Sequence, residues 1–238
     1  MRDASGKLNC LSNVCTHRAN ILVEKPCSAP HILCQYHGRR FNLCGKFQHM
    51  PEFSLAKNFP TDADHLPQVP FDHLGNFLFA SADPAMSFAE AIGEVKRRLF
   101  WMPFDQLHFD ASRSRDYMVN AHWALYCENY LELLHIPFVH KALRKVLDFG
   151  NYTTELYRYS NLQLALSRPD EESFVFDESK LGKGAGGELD VVEMEDEAVV
   201  ESVQKGIRSR FYQHGRYSPS LETGTHHFHQ LLCEFLNP

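Results

Sequence analysis

Two short pairs of metal-binding side chains, Cys15-Thr16-His17 and Cys34-Gln35-Tyr36-His37, constrain this chain more than any other feature. Sixteen residues separate them, and each pair offers one thiolate and one imidazole. A [2Fe–2S] cluster carrying two Cys on one iron and two His on the other needs this supply, because neutral imidazoles in place of thiolates raise the reduction potential. Cys15, His17, Cys34 and His37 are therefore the candidate cluster ligands. A structural zinc site also accepts two Cys and two His, but such sites more often pair Cys with Cys and His with His along the chain. Chance placement of unrelated buried residues is the other alternative. Cys10, Cys27, Cys44, Cys127 and Cys233 fall outside the pattern and read as core or surface thiols.

Seven cysteines is an odd number, spread over 238 residues, a chain too large to need a disulfide framework. A reducing cytoplasm with some cysteines given to metal is the better reading. With 44% hydrophobic residues the chain can bury a sizeable core, and its net charge of −6 gives no electrostatic reason to expect nucleic acid or an anionic membrane as partner. No apolar run approaches the roughly 18 residues of a spanning helix, and the N-terminus lacks a signal-peptide pattern.

The first 80 or so residues are turn-rich. Apolar stretches at Ile21 to Val23, Ile32 to Cys34 and Phe77 to Ala80 alternate with Gly, Pro, Asn and Asp, which predicts small strands in an all-β unit. Ser87-Phe-Ala-Glu90 is a capping box, and Phe88, Ile92, Val95 and Leu99 mark the apolar face of the helix it opens. A domain boundary is placed within 82 to 105, giving units 1–105 and 106–238. Beyond it, Asn120 to Leu134 reads as a helix interrupted at Pro137, and Tyr152 to Tyr159 as a strand. Gly182 to Gly187 reads as a flexible loop, with Val199, Val203, Ile207 and Phe211 on one side of a following helix and His227 to Phe235 in a last one.

Glu128-Asn129 and Glu132-Leu-Leu-His135-Ile-Pro-Phe-Val-His140 form the second informative stretch. Glu132 and His135 are three apart and share a helix face. His135 and His140 are five apart, which a straight helix would separate by about 140°. Pro137 disturbs the turn, and a local break there could bring both imidazoles to one point. Two His and one distant carboxylate make the face of a non-haem Fe(II) site with positions open for O₂ and substrate. Alone, this histidine spacing is a weak signal.

The flanks Ser-Asn-Val-Cys-Thr-His-Arg (12 to 18) and Cys-Gln-Tyr-His-Gly-Arg-Arg-Phe (34 to 41) resemble the two cluster loops of Rieske proteins. Together with the second stretch they resemble the large (α) subunits of Rieske non-haem iron oxygenases, the ring-hydroxylating family. The resemblance implies an α+β fold: a small all-β Rieske domain, then a helix-grip (START-like) catalytic domain. It implies His135 and His140 as ligands of a mononuclear Fe(II), with Asn129 and Glu132 in the catalytic machinery. Glu132 would link a Rieske histidine of a neighbouring subunit to His135; the family more often has Asp there, and Glu resembles members acting on quaternary amines. The third ligand falls in the acidic segment Glu193 to Gln204, at Asp196, with Glu195 as the fallback; the alternative is a solvated helix N-terminus.

The implied activity is that of a terminal oxygenase, hydroxylating or oxidatively demethylating a small aromatic or quaternary-amine substrate with O₂. The implied partners are a ferredoxin or flavin reductase and further copies in a homotrimer. The competing readings are a Rieske electron carrier and an incomplete oxygenase without turnover. The third follows from two departures: this chain begins almost at the first cluster loop, and only 55 residues separate His140 from Asp196, where the family places aromatic-rich strands. Three other features are discounted. Gly182-x-Gly184-x-x-Gly187 lacks a surrounding βαβ unit, His226-His227-x-His229 reads as packing or surface, and Arg39-Arg40 serves either a donor surface or a salt bridge.

Overall fold

The computed structural model describes the chain except residues 114, 115, 117, 142, 169–186 and 238. Most of the glycine-rich stretch, 182 to 186, thus lies outside the described residues. The chain divides into two compact units, Met1–Glu90 with Phe100–His108, and Ala91–Leu99 with Phe109–Pro238.

The first unit is built from short antiparallel strands. β1 (Ile32–Leu33), β2 (Arg40–Phe41) and β3 (Phe47–His49) form one sheet in that order, and β4 (Phe71–Leu74) with β5 (Phe77–Ala80) form a hairpin. The core beneath them is Cys15, Leu22, Ile32, Cys34, Phe41 and Leu66, so two of the candidate cluster ligands are themselves core residues. The strand expected at Ile21 to Val23 reduces to a single bridge between Val14 and Ile21. The Asn13 amide is the reason: it donates to Val23 O at 2.7 Å and accepts the Val23 N–H at 3.0 Å, taking the backbone groups a ladder would use. At the β4–β5 turn Gly75 has φ +56°, and a Cβ there would lie 2.3 Å from the Phe104 backbone. Only glycine permits that approach.

Helix α1 (Phe88–Arg98) begins as the capping box predicts, with Ser87 Oγ accepting the Glu90 N–H at 3.2 Å. The second unit follows with α2 (Trp123–Tyr130), α3 (Ile136–Val139), α4 (Leu143–Val146), β6 (Leu147–Leu156), β7 (Asn161–Ser167), α5 (Gly187–Gly206) and α6 (Thr223–Leu236). Its sheet, among the described residues, is the antiparallel pair β6–β7.

The helix expected over 120 to 134 is shorter at both ends. His122 caps α2 through Nδ1, which accepts the Ala124 N–H at 3.2 Å. At the other end the Leu131 N–H is shared between Cys127 O and Glu128 O, 3.1 and 3.2 Å away, and the chain leaves the helix. The helix therefore breaks before His135 and not at Pro137, and the two histidines flank the short helix α3. Proline sits instead in the first turn of α3, where its missing N–H costs nothing. Helix α5 stops at Gly206, so Ile207 and Phe211 lie past its end rather than on its apolar face. The strand expected at 152 to 159 begins earlier, at Leu147, and turns at residues 157–160 through a Tyr157 N–H to Ser160 O bond of 2.8 Å.

Helix α6 is docked closely against the end of α2. A Cβ on the buried Gly224 would lie 2.5 Å from Leu131 O, and Thr225 Oγ1 donates to Glu128 O at 3.3 Å. His229 meets Glu128 at 2.8 Å, and the His226 ring packs on Tyr217. His227 Nε2 is buried without a hydrogen-bond partner, and none of the three histidines joins a metal-binding group among the described residues.

Candidate metal centres

The two Cys/His loops share one backbone design. Cys15 N–H bonds Asn20 O at 2.9 Å and its carbonyl receives the Ala19 N–H at 3.0 Å. Cys34 N–H bonds Arg39 O at 2.8 Å and its carbonyl receives the Gly38 N–H at 3.0 Å. In each loop the fourth residue after the cysteine has positive φ, Ala19 at 56° and Gly38 at 72°. Each loop thus curls tightly around its cysteine and turns the histidine toward the other loop. The His17 and His37 rings come within 4.8 Å, edge to face, and Cys15 and Cys34 are buried.

Backbone N–H groups point at the sulfurs. Burial raises both thiols. At Cys34 the N–H groups of Tyr36 and His37, with the Cys15 and Asn20 side chains, outweigh it and the net shift is downward. At Cys15 burial and the neighbouring Cys34 outweigh the N–H groups of His17 and Arg18, and the net shift is upward. The Nδ1 atoms of His17 and His37 are both buried without a hydrogen-bond partner. Two orphaned imidazole nitrogens and two buried thiols are the donor set a two-Cys, two-His [2Fe–2S] cluster requires, and ligation would satisfy both orphans.

Asp64, which the sequence reading did not single out, ties the loops together. Its carbonyl accepts Thr16 Oγ1 at 3.0 Å and Arg39 Nη2 at 3.2 Å, and its carboxylate pairs with the same guanidinium. Arg39 is buried, with its Cζ 5.0 Å from the Phe47 ring centroid and 5.5 Å from that of Phe59. Of the two roles open to Arg39, the buried salt bridge is the one observed.

The second centre gathers side chains from three segments. His135 caps the start of α3, His140 its end, and Asp196 lies in the middle of α5. One ligand atom from each falls within 4.8 Å of the others. Asp196 Oδ1 lies 3.0 Å from His140 Nε2 and 3.5 Å from His135 Nε2, so both rings present Nε2 to the same point. Both Nδ1 atoms are held from behind by carboxylates. Glu132 Oε1 bonds His135 Nδ1, and its other oxygen accepts the N–H groups of Leu134 and His135. Glu195 Oε2 bonds His140 Nδ1 at 2.8 Å.

Asn129 completes the centre. Its Nδ2 donates to Asp196 Oδ1 at 2.9 Å and lies 3.4 Å from His135 Nε2, while its Oδ1 is buried and unpaired. Burial raises the Asp196 carboxyl, against the opposing pull of His140 and His135. Two imidazole Nε2 atoms and a buried carboxylate needing a counter-charge fit a divalent iron bound on one face. Helix α5 is fixed against α2 by Glu193, whose carboxylate accepts both Tyr126 OH and Tyr130 OH, the latter at 2.9 Å.

Every residue picked from sequence is thus placed in one of two clusters: Cys15, His17, Cys34 and His37 in one, Asn129, Glu132, His135, His140 and Asp196 in the other. Glu195, the fallback ligand, lies on the far nitrogen of His140, away from the common point. The only sequence signal for Asp64 was its place in a Thr61-to-Asp64 capping box, which marks a turn and not a centre.

Residues 1–60 match the Rieske [2Fe-2S] domain family, and residues 165–237 match the ring hydroxylating alpha subunit (catalytic domain) family. The choline monooxygenase of Beta vulgaris is 26% identical over 292 aligned positions, covering 99% of this chain and 65% of that protein. The carnitine monooxygenase oxygenase subunit of Escherichia coli K12 is 24% identical, covering 95% of this chain and 77% of its own length. A solved quaternary ammonium Rieske monooxygenase superposes with a TM-score of 0.78 at 19% identity, over 94% of this chain and 78% of that one, which shows a shared fold. The two matches place a Rieske [2Fe–2S] domain and a ring-hydroxylating alpha-subunit catalytic domain in one chain, the pairing that these relatives and the solved structure share. It spans about two thirds of the length of the choline monooxygenase it matches. The 292 aligned positions exceed the 238 residues here, so the relative has residues inside the matched region that this chain lacks. No described helix is long and apolar enough to cross a membrane.

Proposed function

We propose that this chain is the terminal oxygenase component of a Rieske system acting on a quaternary amine. The observation that carries the reading is the convergence of His135 Nε2, His140 Nε2 and Asp196 Oδ1 in a chain that also holds two buried, unpaired histidine Nδ1 atoms and two buried thiols in its paired Cys/His loops. A cluster and a mononuclear Fe(II), when bound, supply one-electron transfer and O₂ activation for hydroxylation or oxidative demethylation. In this reading Cys15, His17, Cys34 and His37 hold the cluster within domain 1–105. His135, His140 and Asp196 hold the iron within domain 106–238. Glu132 keeps the proton of His135 on Nδ1, which leaves Nε2 free to ligate. Asn129 steadies Asp196 and His135 together.

The substrate class rests on the relatives, named as choline and carnitine monooxygenases, and on Glu rather than Asp at position 132. A solved relative is described as revealing inter-subunit electron transfer, which supports a homotrimer in which Glu132 receives the electron from a neighbour's Rieske histidine. A ferredoxin or flavin reductase is the donor. All seven cysteines are free, in keeping with a reducing compartment such as the cytoplasm.

Iron and acid-labile sulfide analysis tests this reading. About three iron and two sulfide per chain are expected, and His135→Ala is expected to lose only the mononuclear iron. Substrate-dependent O₂ uptake is then measured with choline, carnitine and γ-butyrobetaine. About two iron per chain would instead indicate an electron carrier. The carrier and the oxygenase without turnover gain weight from the residues missing inside the matched region, and iron without O₂ uptake would point to the latter.

A further inference from the structure

We propose that Glu195 is a positioning residue for His140, fixing which ring nitrogen faces the mononuclear iron; the inference rests on the iron site proposed above. His140 is the most enclosed member of that site, 2% exposed, and its two nitrogens have different partners. Nε2 faces Asp196 Oδ1 at 3.0 Å and Nδ1 faces Glu195 Oε2 at 2.8 Å. A neutral imidazole carries one proton. A carboxylate at Nδ1 holds it there, directs the Nε2 lone pair at the metal and makes that nitrogen a better donor.

The sequence order on α5 makes this possible. Adjacent helix residues point about 100° apart, so Glu195 and Asp196 approach the same ring from two sides. One reaches the metal-facing nitrogen and the other the nitrogen behind it. Glu195 cannot serve as a ligand from this position, because the ring of His140 stands between it and the point the three donors share. His135 has the matching arrangement with Glu132, so each ligand imidazole carries its own carboxylate. The two differ in origin. Glu132 also caps the backbone of its own segment, whereas Glu195 comes from another helix and ties α5 to the end of α3. Its side chain is 36% exposed, so its removal leaves no buried charge behind.

The test uses the full chain with its cluster in place, stripped of mononuclear metal and titrated with Fe(II) against a chromogenic chelator. Visible absorbance of the cluster reports that the protein is folded. Glu195→Ala is expected to weaken Fe(II) binding 10- to 100-fold, as outer-shell partners of ligating histidines do. Glu195→Gln, whose amide oxygen still accepts the Nδ1–H, is expected to recover most of that loss. The visible spectrum of the Co(II)-substituted protein is expected to change in the Ala variant and return toward wild type in the Gln variant. Wild-type affinity in Glu195→Ala, or equal losses in both variants, would overturn the inference while leaving the iron site standing. A wild-type chain that takes up no mononuclear Fe(II) would overturn the site itself, and the role of Glu195 with it.

Discussion

Asp64 joins the two candidate cluster loops without being a candidate ligand itself. It receives Thr16 from one cluster loop and Arg39 from the other, so its charge state bears on both. Burial alone would raise its carboxyl; the Thr61 N–H and the Arg39 guanidinium outweigh that and hold it below its ordinary value. The folded protein therefore binds this proton less readily than the unfolded chain. The resulting stability is complete above about pH 4, the unfolded value, and is lost as pH falls through that value toward the lower folded one. Urea unfolding followed by cluster absorbance at a series of pH values is expected to show this acid limb. Asp64→Asn is expected to flatten it while lowering stability near neutral pH by about 3 kcal/mol, because Arg39 stays buried and loses its ion pair. Ala19 is the complementary case. It holds φ 56° where the equivalent position of the other loop has glycine. Ala19→Gly relieves roughly 1 kcal/mol of left-handed backbone strain against the added freedom of glycine in the unfolded chain. Equal or slightly raised thermal stability is expected, with the cluster retained.

At the scale of elements, the second site depends on how α6 holds the end of α2. Gly224 lets the Leu131 carbonyl come within 2.5 Å of where a Cβ would stand, and the next residue, Thr225, bonds Glu128. Gly224→Ala must push the helices apart, at a cost of about 1–3 kcal/mol. Because Asn129 follows Glu128 on α2, a loss of mononuclear iron is expected as well, measured as iron per cluster. The same elements mark what the sequence could convey. The Rieske-like loops around Cys15, His17, Cys34 and His37 were legible because a cluster demands particular residue types at close intervals, and residues 1–60 match that domain family. So was the start of α1, because Ser87 acts on its own neighbours. The late start and early end of α2 and the break before His135 were not. They depend on which backbone groups Glu132, His122 and a distant Glu201 satisfy, as in the 2.9 Å bond from the Asn120 N–H to Glu201, and periodicity carries no record of such pairs. The strand at Ile21 to Val23 failed for a like reason, since the Asn13 side chain took its hydrogen bonds. Glu195 was read as a spare ligand because sequence places it beside Asp196 without saying which nitrogen of His140 it meets.

For the whole molecule, the candidate ligands of the two centres lie in different units, so the energetics of each centre can be tested apart from the other. Cys15, His17, Cys34 and His37 all lie in Met1–Glu90, and His135, His140 and Asp196 all lie in Phe109–Pro238. Asp196 is remote in sequence from both histidines, so a metal there closes a long loop and joins α5 to α3 at one point. Metal bound only by the folded state stabilises by mass action, about 2.7 kcal/mol at a free concentration one hundred times Kd. For a unit of this size that is about 5–10 °C in Tm. Mild chelation that spares the cluster is therefore expected to lower one thermal transition, followed by far-UV circular dichroism of the helix-rich unit. The loss of cluster absorbance on heating is expected to stay where it was. A cluster transition that moved together with the helical one would mean that the units unfold as one body. Restoring Fe(II) is expected to return the lower transition to its original temperature, and His140→Ala to abolish that response while leaving the cluster intact.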